Sequence, residues 1–411
     1  MTAPGGTLDE RVAALAQDLA AAFRGLIDPL TGPNPRPTRV QSLLGIDKTQ
    51  SWRLVKLMAL ENPFEAIHES PAPIGLLAIV SSAEKIGGNA EAAGLVRDVI
   101  QRFDGMLAEF PDGRTGLNAA VAAHVPKARE ALYRDARRKL AQSMAQLLGV
   151  RTQTRYAAGI LIPSSIDTVS VDAVVLTGYI GFRRLRSGTK PIMFVRQPHD
   201  SVPGTGAPEM LTLDGERDED PMRRYMEEFS TLPASGIRLQ PSGGQVRMML
   251  GEHEPGVNEP VTMFFGQRLA RVLTRHQIDH RVYDLMNMMV SSSSDAVILD
   301  VFIHESLYPD ADPPLLTVEH AAFNPQQQRS CFEDDSFRVD DSLVLRPMGT
   351  GLDRSSSEEV PGLRRMLESA FARSKADPGE FRLYRATQVY PLPGFSMVTW
   401  LPLPKGASAS S

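Results

Sequence analysis

Five cations, Arg36, Arg39, Lys48, Arg53 and Lys56, stand within twenty-one positions against one carboxylate, Asp47. Five minus one is a local +4, in a chain whose net charge is −5. Such a concentration on an otherwise acidic protein has the character of a small phosphate-facing surface. Lys48, Arg53 and Lys56 are expected to neutralise phosphates, with Thr49, Gln50 and Trp52 nearest the base edges. The partner this predicts is double-stranded DNA.

Other residues raise weaker chemistry. His276 and His280 are four apart, with Asp284 four further on, a spacing zinc accepts on one helical face. Ile278 and Val282 read instead as helix giving way to strand, and no glutamate stands in the zinc-protease position, so no metal is expected. His304 beside Glu305 and His320 beside Glu319 fall on two strands that are predicted to pair. Imidazoles brought together there are the basis of a lesser, enzymatic alternative. The run Gly349, Thr350, Gly351 lacks the third glycine of a phosphate-cradling loop, and Cys331 has no clear activating neighbour. No catalytic residue and no cofactor is therefore expected.

The cations need an element to carry them. Pro37 to Met58 reads as helix, turn, helix: Val40, Leu43 and Leu44 form one apolar face, Gly45 supplies a left-handed turn, and Ile46 plugs the angle. Lys48 opens the second helix, with Leu54, Val55, Leu57 and Met58 facing back. Gly45, Ile46, Asp47, Lys48, Thr49, with Arg53 and Leu54 following, resemble the helix-turn-helix of the IclR class of bacterial transcriptional regulators. The resemblance covers residues 37–58. It departs at Gln41, where that motif prefers alanine, and at Ser51, where it prefers an aliphatic residue. Asn62 and Pro63 interrupt any following wing. What the resemblance implies is a DNA-binding transcriptional regulator with a C-terminal sensor or oligomerisation region, a small-molecule effector and a homodimer. The alternative is a plain helical corner in a protein-interaction or assembly module that does not touch DNA.

The rest of the chain divides by its patterning. Thr7 and Glu10 have capping-box spacing, and Val12, Leu15, Leu19, Phe23 and Leu26 form a stripe suited to dimerisation or to packing on its own domain. Four prolines between Asp28 and Thr38 predict a break. Helical periodicity then covers 74–86, 90–110 and 114–148, the last with the stripe Leu132, Ala136, Leu140, Met144 and Leu147. From Arg151 the pattern turns to short β-rich segments. Within them Asp172 to Leu176 echoes Asp295 to Leu299, each copy preceded by a predicted helix and strand, the second helix at Gly266 to Thr274.

The expected fold is thus α+β: a mainly α-helical N-terminal region with a helix-turn-helix, then a β-rich region that could hold two similar helix-plus-antiparallel-sheet, GAF-like units. Boundaries are expected at 1–125, 126–255 and 256–403, with a disordered tail at 404–411. At 411 residues, 42% hydrophobic and 23% charged, the composition is ordinary for a globular chain of two or three domains. One cysteine excludes an internal disulfide, and no apolar run reaches the roughly 18 residues of a membrane span. A cytoplasmic protein is expected.

Overall fold

A computed structural model describes residues 6–186, 192–195, 208–242, 245–251, 259–278, 282–308, 313–320, 338–340 and 343–405. The chain forms two compact units, Met1–Asp135 and Ala136–Ser411. The architecture is α+β, with the helices concentrated in the first unit. Among the described residues, no helix is long and apolar enough to cross a membrane.

The first unit is built on α1 (Leu8–Thr31), opened by the reciprocal Thr7 and Glu10 capping box. Its whole apolar stripe, Val12, Leu15, Leu19, Phe23 and Leu26, is buried in the unit's own core. The stripe therefore packs at home. The helix passes through Pro29 before Gly32 ends it, and after residues 33–36 come α2 (Pro37–Leu44) and then α3 (Lys48–Ala59). Then follow α4 (Pro63–Glu69), α5 (Pro73–Lys85), α6 (Ala90–Ala108) and α7 (Arg114–Ala122). Arg102 pairs with Asp18 at 2.8 Å, and Arg11 with Glu109, tying α6 to α1.

The helix expected over 114–148 is two, because Pro126 lacks the amide that would continue α7 and instead starts α8 (Pro126–Leu148). The predicted stripe on α8 does not form a core. Leu147 is 71% exposed and Leu140 is also exposed, while the residues buried are Ala141 and Ala145. Small side chains let the backbone come close: Ser293 Oγ donates to the Ala141 carbonyl at 2.6 Å.

The second unit is organised by a seven-stranded sheet. Strands β1 (Val150–Pro163) and β2 (Ser170–Arg184) pair antiparallel, and β7 (Val261–Thr274) lies beside β2, with β4 (Glu209–Leu211) at that edge. On the other side, β9 (Ser294–His304) runs parallel to β1, followed outward by β13 (Phe381–Val389) and β12 (Arg346–Thr350). One face is covered by α9 (Leu363–Ser374), whose Met366, Leu367, Ala370 and Phe371 share a core with Tyr156, Val174, Phe264 and Phe302. The opposite face has two apolar cores, and each belongs to a smaller sheet. A four-stranded sheet of β8 (Tyr283–Met289), β10 (Leu315–His320), β11 (Arg338–Asp340) and β14 (Phe395–Pro402) meets Ala157, Val297, Leu299 and Val301. A three-stranded sheet of β3 (Ile192–Val195), β5 (Ile237–Ser242) and β6 (Gln245–Leu250) meets Tyr179, Phe182, Met263 and Phe265.

This topology overturns the internal repeat. Gly266 to Thr274, expected as a helix, is strand β7, and the echoed segments lie on β2 and β9, which flank β1 in opposite senses. Val174 and Val297 are both fully buried, yet Val174 faces α9 and Val297 the opposite side. Two GAF-like units are therefore absent as read, and the expected boundary at 255/256 falls inside one unit, where β2 pairs with β7.

Candidate nucleic-acid interface

The turn between α2 and α3 forms for reasons visible in its residues. Gly45 caps α2 at φ 64°, ψ 27°, a left-handed conformation that glycine adopts without a Cβ penalty. Ile46 is buried behind it, and the Asp47 carboxylate accepts the Gln50 amide at 2.8 Å, satisfying one of the free donors that begin α3. Val40, Leu44, Leu54, Leu57 and Met58 are buried as expected; Leu43 is exposed. Ser51, the departure from the aliphatic preference, is fully buried, and its hydroxyl donates to the Lys48 carbonyl at 2.9 Å. An internal bond thus lets a polar side chain occupy an interhelical position.

Of the six candidate contact residues, Lys48, Thr49, Trp52 and Arg53 are exposed on α3, Trp52 to 49%. Gln50 is half-buried. Lys56 has counter-ions of its own. Its Nζ lies 2.8 Å from Glu65 and 2.7 Å from Glu69, one turn apart on α4, and 5.0 Å from the centre of the Trp52 ring. Where the sequence led toward a broken wing, Asn62 caps α4 by accepting the amides of Phe64 and Glu65, so a short acidic helix follows α3 directly. Extending the count to Glu69 adds Glu61, Glu65 and Glu69, and +4 minus three leaves +1. What remains positive is concentrated in Arg36, Arg39, Lys48 and Arg53, which are exposed and form no ion pair among the described residues.

A further cation supports them. Arg114, at the start of α7, donates through Nη2 to the carbonyls of Ile67, His68 and Ser70, at 2.6, 3.0 and 3.0 Å, closing the C-terminus of α4. It has no carboxylate partner among the described residues. Burial, then the charge of Arg53, brings its pKa down to about 10. The same surroundings act on His68, whose pKa is lowered by burial first and by Arg114 second, against Glu69 and Glu65. Arg114 carries no motif and could not be found by spacing; its role depends on α7 folding back to α4.

The remaining candidates separate. His276 follows the end of β7 in a bend and not on a helix, Asp284 is buried on β8 accepting the Thr274 amide at 2.7 Å, and His280 lies outside the described residues, as does Cys331. Among the described residues no cluster of metal-ligating side chains occurs. The strands bearing His304 and His320 do not pair: β9 lies between β1 and β13, and β10 between β11 and β14. His304 instead bonds Ser306 Oγ through Nδ1 at 2.9 Å and Glu380 through Nε2 at 3.2 Å. The Ser306 amide also donates to Nδ1, which makes this a local turn. A crevice lined by Ile303, Tyr308, Pro314, Arg382, Tyr384, Leu401 and Pro402 includes neither histidine.

No protein-family model matches the chain, and no curated protein matches it.

Proposed function

We propose that the protein binds duplex DNA through the N-terminus and outer face of α3 and acts as a transcriptional regulator. The observation that carries this reading is the exposed cluster of Lys48, Thr49, Trp52 and Arg53 behind a left-handed Gly45 turn. Arg36, at the N-cap of the preceding helix, and Arg39 within it add two charges without an ion pair among the described residues, and Arg114 adds field without a counter-carboxylate among them. In this reading Lys48 and Arg53 meet phosphates, Thr49 and Trp52 lie nearest the bases, and Lys56 is the weakest contributor because Glu65 and Glu69 already hold it. A homodimer reading two half-sites and a small-molecule effector belong to the same proposal. Anisotropy titration of the full chain against sheared duplex DNA between 50 and 200 mM salt, on the order used for such slopes, tests it. Binding that falls linearly in log salt is expected; no binding at the lowest salt ends the reading.

A second reading, a protein-interaction module, is favoured by α5. Ile74 is 80% exposed and Leu77, one turn on, is exposed beside it. Retention of a protein partner by a chain that ignores DNA would select it.

A further inference from the structure

Arg155 lies within β1 on the sheet face turned away from α9. Its register neighbours are Val297 on β9 and Tyr179 on β2. Val297 belongs to the core shared with the four-stranded sheet and Tyr179 to the core shared with the three-stranded sheet, so the guanidinium stands where one apolar packing gives way to the other. It is only 7% exposed. Both Nε and Nη1 are buried without a hydrogen-bond partner. The other two buried arginines differ in having a polar acceptor, the Asp218 carboxylate for Arg224 Nε and the Gly251 carbonyl for Arg184 Nη2, though neither has every nitrogen filled by it. Among the described residues no carboxylate meets Arg155. Asp295, two positions before Val297, is engaged by Arg151 through both oxygens.

What Arg155 has is a ring: its Cζ lies 3.7 Å from the centre of Tyr179. An aromatic face returns part of the hydration a buried cation loses, and only part. Arginine cannot shed its proton to escape the cost. A planar fork already stacked and oriented, with donors unfilled, is the arrangement that receives an oxyanion through paired hydrogen bonds.

We infer that Arg155 is the receptor for the anionic group, a carboxylate or a phosphate, of a small ligand bound at the seam between the two smaller sheets. Nothing in this depends on the first unit binding DNA. Val297 and Tyr179 bound the site on either side across the sheet, and the ring of Tyr179 lies against the guanidinium that would meet the oxyanion.

The test is thermal unfolding of the full chain followed by the fluorescence of Trp400, which is buried in this unit, with W52F in every variant and in the wild-type reference so that Trp400 alone is read. Sodium phosphate and sodium acetate are compared with chloride at equal ionic strength. Phosphate or acetate should raise the midpoint of wild type saturably, by mass action on the folded state. A response to phosphate alone assigns a phosphorylated ligand, and one to acetate alone a carboxylate. R155M should abolish the shift and, in chloride, melt no lower than wild type, because it removes a buried charge without a counter-ion. No saturable shift in wild type overturns the assignment, as does an equal shift in R155M. If R155M does not fold, R155K decides: a charge without the planar fork should weaken the response at least several-fold, and an undiminished response would overturn it.

Discussion

At Lys56 the run of cations that begins at Arg36 meets its own counter-charge. Spacing places this side chain with Lys48 and Arg53, and only the fold shows that Glu65 and Glu69 reach it first. The two cations should therefore behave differently. Replacing Arg53 with alanine should reduce the slope of log affinity against log salt by roughly one. Replacing Lys56 should change it far less, and E65Q/E69Q together should strengthen binding by freeing that lysine. Equal losses for R53A and K56A in the same titration would contradict this placement. His68 carries a second expectation, of stability. Its pKa in the folded state is lowered below 6.5, by burial first and then by Arg114, so the unfolded chain takes up the proton at higher pH. Stability from this group is full above the unfolded value and is lost as pH falls through the folded one. Melting of the first unit should decline as pH drops below about 6.5, and H68Q should flatten that decline.

Among the elements, those whose burial has one side were legible and those buried on both sides were not. The stripes of α1, α5 and α6 repeat at three and four residues because each helix has one face to hide, and Gly45 with Asp47 marks a turn by local chemistry alone. Replacing Gly45 with valine should cost roughly 1 to 3 kcal/mol in chemical unfolding. Nothing lies within 4 Å of the position a Cβ would take there, so the penalty is backbone strain, not crowding. By contrast β7 is covered on both faces, and its Leu269, Val272 and Leu273 imitate a helical stripe. Strand β13 carries Arg382 at its start and Arg385 in its middle and so reads as polar. In the fold Arg385 grips the buried Asp300 of β9 with Nε at 2.6 Å and Nη2 at 2.7 Å, while Tyr156 of β1 donates to the same carboxylate at 3.0 Å. Three strands distant in sequence supply that satisfaction, and no local pattern announces it. R385M would leave Asp300 buried without its cation and should cost about 3 to 5 kcal/mol, whereas the exposed R364M should leave the melting temperature nearly unchanged. On the candidate interface the exposed residues of α3 were legible, and Arg114 and the two glutamates holding Lys56 were not, since both depend on how α4 and α7 fold back.

For the whole molecule, the division at residue 135 gives each unit its own tryptophan, Trp52 exposed in the first and Trp400 buried in the second. Phe23 is fully buried in the first core, and F23A should remove about 3 to 5 kcal/mol. Read separately in W400F and W52F backgrounds, that loss should lower the transition seen from Trp52 and leave the one seen from Trp400 in place; a common shift would show one cooperative molecule. The central strand β1 has a further consequence, for synthesis. Its antiparallel neighbour β2 begins at Ser170, but its parallel neighbour β9 begins only at Ser294, 131 positions after β1 ends (294 − 163). At ordinary elongation rates, on the order of ten seconds of translation separate the two. Through that interval one edge of an apolar hairpin stands open on the ribosome, a template for pairing with any neighbouring nascent chain. Polypeptides ending just before Ser294 should accumulate as aggregates while those ending at Asp135 remain dispersed, and the yield of intact protein should follow how fast ribosomes cross the stretch between these two points.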